Sequence, residues 1–403
     1  MLMPPATLAI DESSPRYAGW RVVLACYLAA VFCWGLGLYS HGVYLTELNR
    51  LHGWPTALIS AGITGFYLVT AALVVFISDT IVRHGPKRVM LIGASCFGSA
   101  ILLLAFITEL WQLYLVYLLM AVGAASMHVG AITNVVGPWF ERKRPLALSL
   151  ALNGASSGGI LITPALVLAI ARYGFTDVIV GAVVIMALVL LPAIALWIGR
   201  PAGAAAGSDA PSATTWTRAS ALRSPHFWSV AAPFAMGLTA QVGFLVHQIA
   251  ILEPAMGRAQ AGFSVAALTI TAILGRFGLG VFANRLDMRW FAACSVASQA
   301  AALLAMTATT DTTALMLTCV LFGLSAGNLL TLPSLIIQRE FDAASFGMLV
   351  GLSWAISQFT YAFGPGLVGV MRDWTGGYTA PLMLLAALDL GAAALILLRP
   401  KRT

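Results

Sequence analysis

Arg276 sits inside the apolar part of the stretch 271–289, TAILGRFGLGVFANRLDMR, about a third of the way in from the basic turn that ends it. A guanidinium is permanently charged and forks two hydrogen bonds onto a carboxylate. At the centre of a bilayer an arginine costs about 2.5–3.5 kcal/mol on insertion scales. It is kept there either by snorkelling to the surface or by meeting an anion in a cavity. Nine residues separate it from Arg285, roughly 13 Å along a helix, too deep for easy snorkelling. Anion recognition is the expected chemistry. Histidine is the side chain whose ordinary protonation falls near neutral pH, so His247, His128 and His41 are candidates for carrying a coupled proton. Each has a competing role as a hydrogen-bonded packing residue, and His41 is expected near the outer surface. Tyr39, Asn134, Gln241, Asn328, Gln358, Phe359 and Tyr361 also lie deep in apolar runs and form the candidate lining of a cavity. Asn134 lies two helical turns from Met127 on one face. Helix–helix hydrogen bonding competes with lining at every one of these positions. Asp389, in the middle of the last apolar run, is expected to have a structural or lipid-edge role.

The elements that hold these residues must cross a membrane. Of 403 residues, 60% are hydrophobic and 9% charged, and the mean hydropathy is +0.90. A soluble domain carries about 25% charged residues, so this chain cannot cover a water-facing surface. A spanning helix needs about 20 mostly apolar residues. On that rule there are twelve spans: 18–44, 56–78, 89–107, 112–137, 147–170, 178–198, 226–252, 263–282, 291–309, 313–336, 346–371 and 378–398. The fold class is therefore an all-α membrane protein. The five cysteines, all in apolar runs without ligand spacing, read as small core residues rather than disulfides or metal ligands. No metal or other cofactor is expected.

Basic residues set the orientation. With the N-terminus in the cytoplasm, every lysine and arginine falls on the inner side except Arg50, Arg172, Arg258, Arg372 and the intramembrane Arg276. This asymmetry predicts both termini inside an inner (plasma) membrane. It also accounts for the net charge of +7 without a nucleic-acid partner. Residues 199–225, rich in Ala, Gly, Ser, Pro and Thr, read as a linker. The expected organisation is a tail 1–17, a six-helix bundle 18–198, that linker, a second six-helix bundle 226–398 and a tail 399–403. Internal repetition agrees. Arg83 and Arg285 are 202 residues apart, and Phe140 and Phe341, like Pro164 and Pro365, are 201 apart at matched places in the topology. Duplicated halves place a substrate site at the midplane between them.

The turns SDTIVRHGPKR (78–88) and GVFANRLDMR (280–289) resemble the signature that the major facilitator superfamily carries after its second and eighth helices. The resemblance implies a cytoplasmic latch between the halves, with Arg83, Gly85, Lys87, Gly280, Arg285 and Arg289 fitting the pattern. Asn284 and Val82 stand where an acid is usual, which implies a weakened latch. The stretch 139–158, WFERKRPLALSLALNGASSG, resembles the span 4–5 signature of the monocarboxylate transporter family through Phe140, Arg142, Lys143, Arg144, Leu146, Ala147, Ala151, Gly154 and Gly158. Gly19-Trp20-Arg21-Val22-Val23 is similar to the start of that family's first helix, without its acidic residue. Gly154, Ser157 and Gly158 read first as packing surface. The resemblance implies that Arg276 receives the substrate carboxylate. The proton-linked Asp of the family, four residues earlier, is Ala272 here. A lysine of span 1 would fall near Leu38 or Tyr39, and one of span 11 among residues 355–359, where none is charged. One permanent cation suits one carboxylate.

The expected function is secondary transport of a small monocarboxylate, of lactate or pyruvate type, by alternating access with proton symport. The partners are an organic acid anion, a proton and the lipid bilayer, and the working unit is a monomer. Carboxylate exchange without net proton movement is the alternative, and the missing acid at Ala272 favours it. A multidrug exporter and a non-transporting sensor stand further back. No glycine-rich phosphate loop, HExxH or G-x-S-x-G occurs, so an enzyme is not expected.

Overall fold

The computed structural model describes residues 12, 14, 16–199, 216–282, 287–342 and 345–398. Among them all regular structure is helical. Eleven helices are long and apolar enough to cross a bilayer: Ala18–His52, Thr56–His84, Pro86–Leu104, Leu110–Trp139, Leu146–Tyr173, Phe175–Trp197, Pro225–Met256, Arg258–Leu279, Met288–Thr307, Thr312–Glu340 and Thr379–Leu397. The remaining expected span, the eleventh, is divided into Phe346–Tyr361 and Gly364–Thr375. Pro365 explains the division. It has no N–H for the carbonyl of residue 361, and its ring crowds that carbonyl. Pro164, its counterpart in span 5, stays inside a continuous helix. The stretch 200–215 of the expected linker lies outside the described residues, and its end carries a short helix, Arg218–Arg223.

Span 1 begins and span 12 ends on one face of the bundle, called here the terminal face. Spans 5 and 11 both end at the far face on a glycine with positive φ, Gly174 at 84° and Gly376 at 72°. These two stops are 202 residues apart, the offset of the sequence repeats. A second correspondence lies at the terminal face. Phe140, buried at the exit of span 4, packs edge-on to Tyr17, just ahead of span 1, and against Trp20 in its first turn. Phe341, at the exit of span 10, packs against Trp216 and His226, at the approach to span 7. Each half thus clasps the start of its own first span with an aromatic from the end of its fourth.

Small residues let helices touch backbone to backbone. A Cβ on Gly154 of span 5 would stand 2.2 Å from the Tyr27 carbonyl oxygen of span 1. On Gly327 of span 10 it would stand 1.9 Å from the Ala272 carbonyl oxygen of span 8. The signature glycines Gly154 and Gly158 are therefore closing surfaces within the N-terminal half. Of the cysteines, Cys26, Cys33 and Cys319 are buried, whereas Cys294 is exposed and departs from the expected core role. Asp389 is fully buried, with its Oδ1 3.7 Å from where a Cβ on Gly237 would stand, so its helix presents it to the bundle interior and not to lipid.

The halves are joined at the far face. Arg258 pairs with Glu47, and Arg50 reaches Glu253 at 2.7 Å and Glu47 at 3.3 Å. The Asp373 carboxylate accepts the Ala57 N–H at 2.8 Å, and Thr64 Oγ1 accepts the Gly366 N–H at 3.1 Å. His247 Nε2 donates to the Pro365 carbonyl at 3.1 Å and lies 3.2 Å from Ser60 Oγ. A carbonyl only accepts, so Nε2 carries the hydrogen and Nδ1 accepts from the Tyr378 hydroxyl, at 3.2 Å. Further towards the terminal face, Arg276 Nη2 donates to Ser156 Oγ of the other half, at 3.1 Å.

Candidate functional site

That last bond marks the wall of a cavity of about 330 Å³ between the halves. Span 8 carries Arg276 to it. Around Arg276 span 8 is fixed to span 10, with Ala272 pressed against Gly327 and Gly275 against Leu324. The Arg276 Nε contacts the Ala272 carbonyl at 3.4 Å. Among the described residues no acidic side chain pairs with it. Its electrostatic neighbour is the Tyr39 hydroxyl, in the 3-10 turn Leu38–Ser40 that interrupts span 1. The guanidinium therefore has hydrogen-bonding capacity left to give to an anion.

The other walls come from both halves. Span 1 gives Trp34, span 2 gives Phe66, Tyr67 and Thr70, span 4 gives His128 and span 5 gives Ser156. Span 7 contributes Leu238, Gln241, Val242 and Leu245, and span 11 contributes Trp354 and Tyr361. The four residues of span 7 follow the spacing of one helix face. His128 stacks on Trp34 with ring centroids 5.4 Å apart. Tyr67 stands edge-on to Tyr361 at 5.7 Å. Gln241 is buried, and its Oε1 has no partner among the described residues. Among the described residues, Arg276 is the one permanently charged side chain on the wall.

Of the side chains singled out from the sequence, Arg276, His128, Tyr39, Gln241 and Tyr361 meet at this cavity. The rest need correction. His247 is fully buried in the far-face closure described above. His41 is not near the surface but fully buried among Tyr44, Phe66, Tyr67 and Tyr117, its Nδ1 3.3 Å from the Tyr67 hydroxyl. Asn134 is exposed and donates to Ser78 Oγ at 2.7 Å. Span 4 is interrupted at Ser126 and restarts at Val129 with His128 as its N-cap, so the phase that put Asn134 beside Met127 is lost. Phe359 is 59% exposed and packs on Phe363. Two residues are 200° of helix, so Tyr361 in the cavity turns Phe359 away. Gln358 and Asn328 stand off the wall, and Asn328 donates to the Leu324 carbonyl of its own helix.

The basic turns of the expected latch are described only in part. Arg83 and Lys87 are exposed, and Gly85 ends span 2 with φ 83°. Asn284 and Arg285 lie outside the described residues, and of Gly280 only the helical backbone is described. Arg289 is buried within the C-terminal half. It forks onto Glu340 at 2.7 and 2.8 Å and also donates to the carbonyls of Ile396 and Leu398 and to Ser229 Oγ. It ties spans 7, 9, 10 and 12 together and does not bridge the halves. In the span 4–5 turn, Arg142 is exposed, and Arg144 Nε donates to the carbonyls of Gly137 and Phe140. The Glu12 carboxylate accepts the N–H groups of Glu141 and Lys143 at 2.7 and 2.8 Å. An acid does therefore serve this turn, from eight residues ahead of Trp20. The backbone N–H of Glu141 first, with Lys143 and Arg142, holds the Glu12 carboxyl below the usual carboxylate range.

Sequence reading missed Trp34, Phe66, Tyr67, Ser156 and Trp354. Trp354 had a signal, because seven residues separate it from Tyr361 and so place both on one helix face.

A many-span helical membrane protein with a central cavity lined from both halves has the architecture of a transporter. The chain belongs to the Major Facilitator Superfamily, whose family profile matches residues 27–365. It is 25% identical to human Monocarboxylate transporter 11 over 421 residues, covering 99% of this chain and 87% of that protein. To bovine Monocarboxylate transporter 13 it is 22% identical, covering 95% and 89%. Its fold is similar to that of a bacterial homolog of the human lysosomal transporter Spinster, in an inward-facing and unoccupied conformation, with TM-score 0.73, 14% identity and 95% and 97% coverage. It is also similar to the nucleoside transporter NupG, with TM-score 0.77, 13% identity and 95% and 100% coverage.

Proposed function

We propose that this protein is a secondary transporter of a monocarboxylate, with Arg276 as the group that receives the carboxylate. The observation that carries this reading is an arginine without an acidic partner on the wall of a cavity shared by the two halves. A carboxylate replaces lost hydration with a bidentate, charge-assisted pair. Arg276 belongs to the C-terminal half, while Trp34, Tyr39 and Ser156 belong to the N-terminal half, so a bound anion touches both. Its binding favours closure at the terminal face, and release requires the far-face ion pairs to part. The basic turns support a cytoplasmic terminal face in the plasma membrane. The similarity to monocarboxylate transporters agrees with the substrate class.

In the proton-symport form, His128 is the proton carrier, because it is the histidine on the cavity wall. A second reading, carboxylate exchange, is favoured because no acidic side chain stands on that wall among the described residues. Proteoliposomes separate the two. Symport acidifies the lumen as substrate enters, whereas exchange needs a trans carboxylate and leaves lumenal pH unchanged. Arg276→Ala abolishes both forms of flux and Arg276→Lys retains part. Unaltered uptake by Arg276→Ala of every carboxylate carried by the wild type refutes the assignment.

A further inference from the structure

We infer that the carboxylate carried is a single-ring aryl acid without an ammonium group, and not a three-carbon acid. This rests on the proposed role of Arg276 and specifies the rest of the site. A cavity of about 330 Å³ is about eleven times the roughly 30 Å³ that one water occupies in the liquid, so it has room for a ring beside the carboxylate. A three-carbon acid held at Arg276 has no ring to set against the aromatic walls.

The walls have the chemistry of a ring site. Trp34, Tyr39, Tyr67, Trp354 and Tyr361 all face the cavity, from spans 1, 2 and 11. Several are fixed from behind. The Tyr67 hydroxyl is engaged by His41 at 3.3 Å, and its ring stands at 84° to Tyr361. Trp34 lies nearly parallel to His128, with 29° between the rings. Rigid aromatic walls offer a planar ligand edge-to-face and offset contacts at little ordering cost. A flexible alkyl acid of the same size must give up rotor freedom to fit. Among the described residues the wall carries no acidic side chain to act as counter-charge for an ammonium, so aromatic amino acids are disfavoured against their keto or deaminated counterparts.

The test uses the purified full chain in lipid nanodiscs, read by tryptophan fluorescence, and proteoliposomes, read by counterflow. The panel is phenylacetate, phenylpyruvate, lactate, octanoate, phenylalanine and phenethyl alcohol. Octanoate matches phenylacetate in atom count but has no ring. Phenylacetate is expected to bind at least tenfold tighter than lactate and about three- to tenfold tighter than octanoate. Phenylalanine and phenethyl alcohol are expected to bind weakly. Trp34→Leu should erase the margin over octanoate, and Arg276→Ala should remove binding of both acids. Lactate or octanoate binding as tightly as phenylacetate, still dependent on Arg276, overturns the ring assignment and leaves the carboxylate role standing. Phenethyl alcohol matching phenylacetate, with Arg276→Ala silent, overturns the carboxylate role itself.

Discussion

Glu47 is the hinge of the far-face closure, and replacing it by Gln should open that face. Its side chain is 6% exposed and faces two arginines, Arg258 at 22% and Arg50 at 48%. Arg258 belongs to the opposite half, so this pair exists only when the far face is shut. A pair this sheltered is worth more than a surface salt bridge of about 0.2–1 kcal/mol. It is worth less than the 3–5 kcal/mol lost on breaking a fully buried pair. Charge-assisted hydrogen bonds of about 1.5–3 kcal/mol fit the partial burial. A loss of about 2 kcal/mol shifts the equilibrium between closed and open far face roughly 30-fold. The shift can be read by double electron–electron resonance between spin labels at Thr108→Cys and Thr310→Cys, both exposed on far-face loops, with Cys96 and Cys294 replaced by Ser. Glu47→Gln should enlarge the long-distance population, and Arg258→Met should do the same without adding to it. Unchanged distances in a variant that melts like the parent would show that packing alone holds the face shut.

Arg289→Ala should lower stability by about 1.5–3 kcal/mol, because it removes charge-assisted hydrogen bonds to Glu340, whose side chain is 22% exposed. Thermal unfolding in detergent would report this, while ligand affinity in the surviving protein stays unchanged. Gly154→Val should cost about 1–3 kcal/mol or more by forcing spans 1 and 5 apart, measured the same way. Phe359→Ala should leave ligand affinity within about twofold, whereas Trp354→Ala, on the cavity wall, should weaken it about tenfold or more. Fluorescence titration distinguishes the two. The docking of Glu12 on the span 4–5 turn should depend on pH. Its folded value is lowered, so the contact contributes above the ordinary carboxylate range and is lost as pH falls through the lowered value. The protection factors of the Glu141 and Lys143 amides, taken against intrinsic exchange at the same pH, should fall in acid, and at neutral pH in Glu12→Gln.

The span count and an arginine on the wall of the cavity were legible because they rest on composition and on a single costly charge. Positions on a face were legible only where a helix ran unbroken. Gln241 could be placed because span 7 keeps one phase from Leu238 to Leu245. Asn134 could not, because span 4 restarts at Val129 and its phase is reset. The broken span 11 concealed the carbonyl that His247 engages, so a histidine that looked like a proton carrier belongs to a closure. Arg289 looked like a latch from its place in a motif. Its partners come from three other spans, which no local pattern discloses.

The paired aromatic clasps have a consequence for how the chain is made. Tyr17 and Trp20 meet Phe140, and Trp216 and His226 meet Phe341, each entirely on one side of residues 200–215. Each set of six spans can therefore fasten its own leading helix during insertion, before the other set has been synthesised. A gene cut in two within 200–215 and expressed as separate polypeptides should still yield a transporter, assembled late through the ion pairs and hydrogen bonds of the far face.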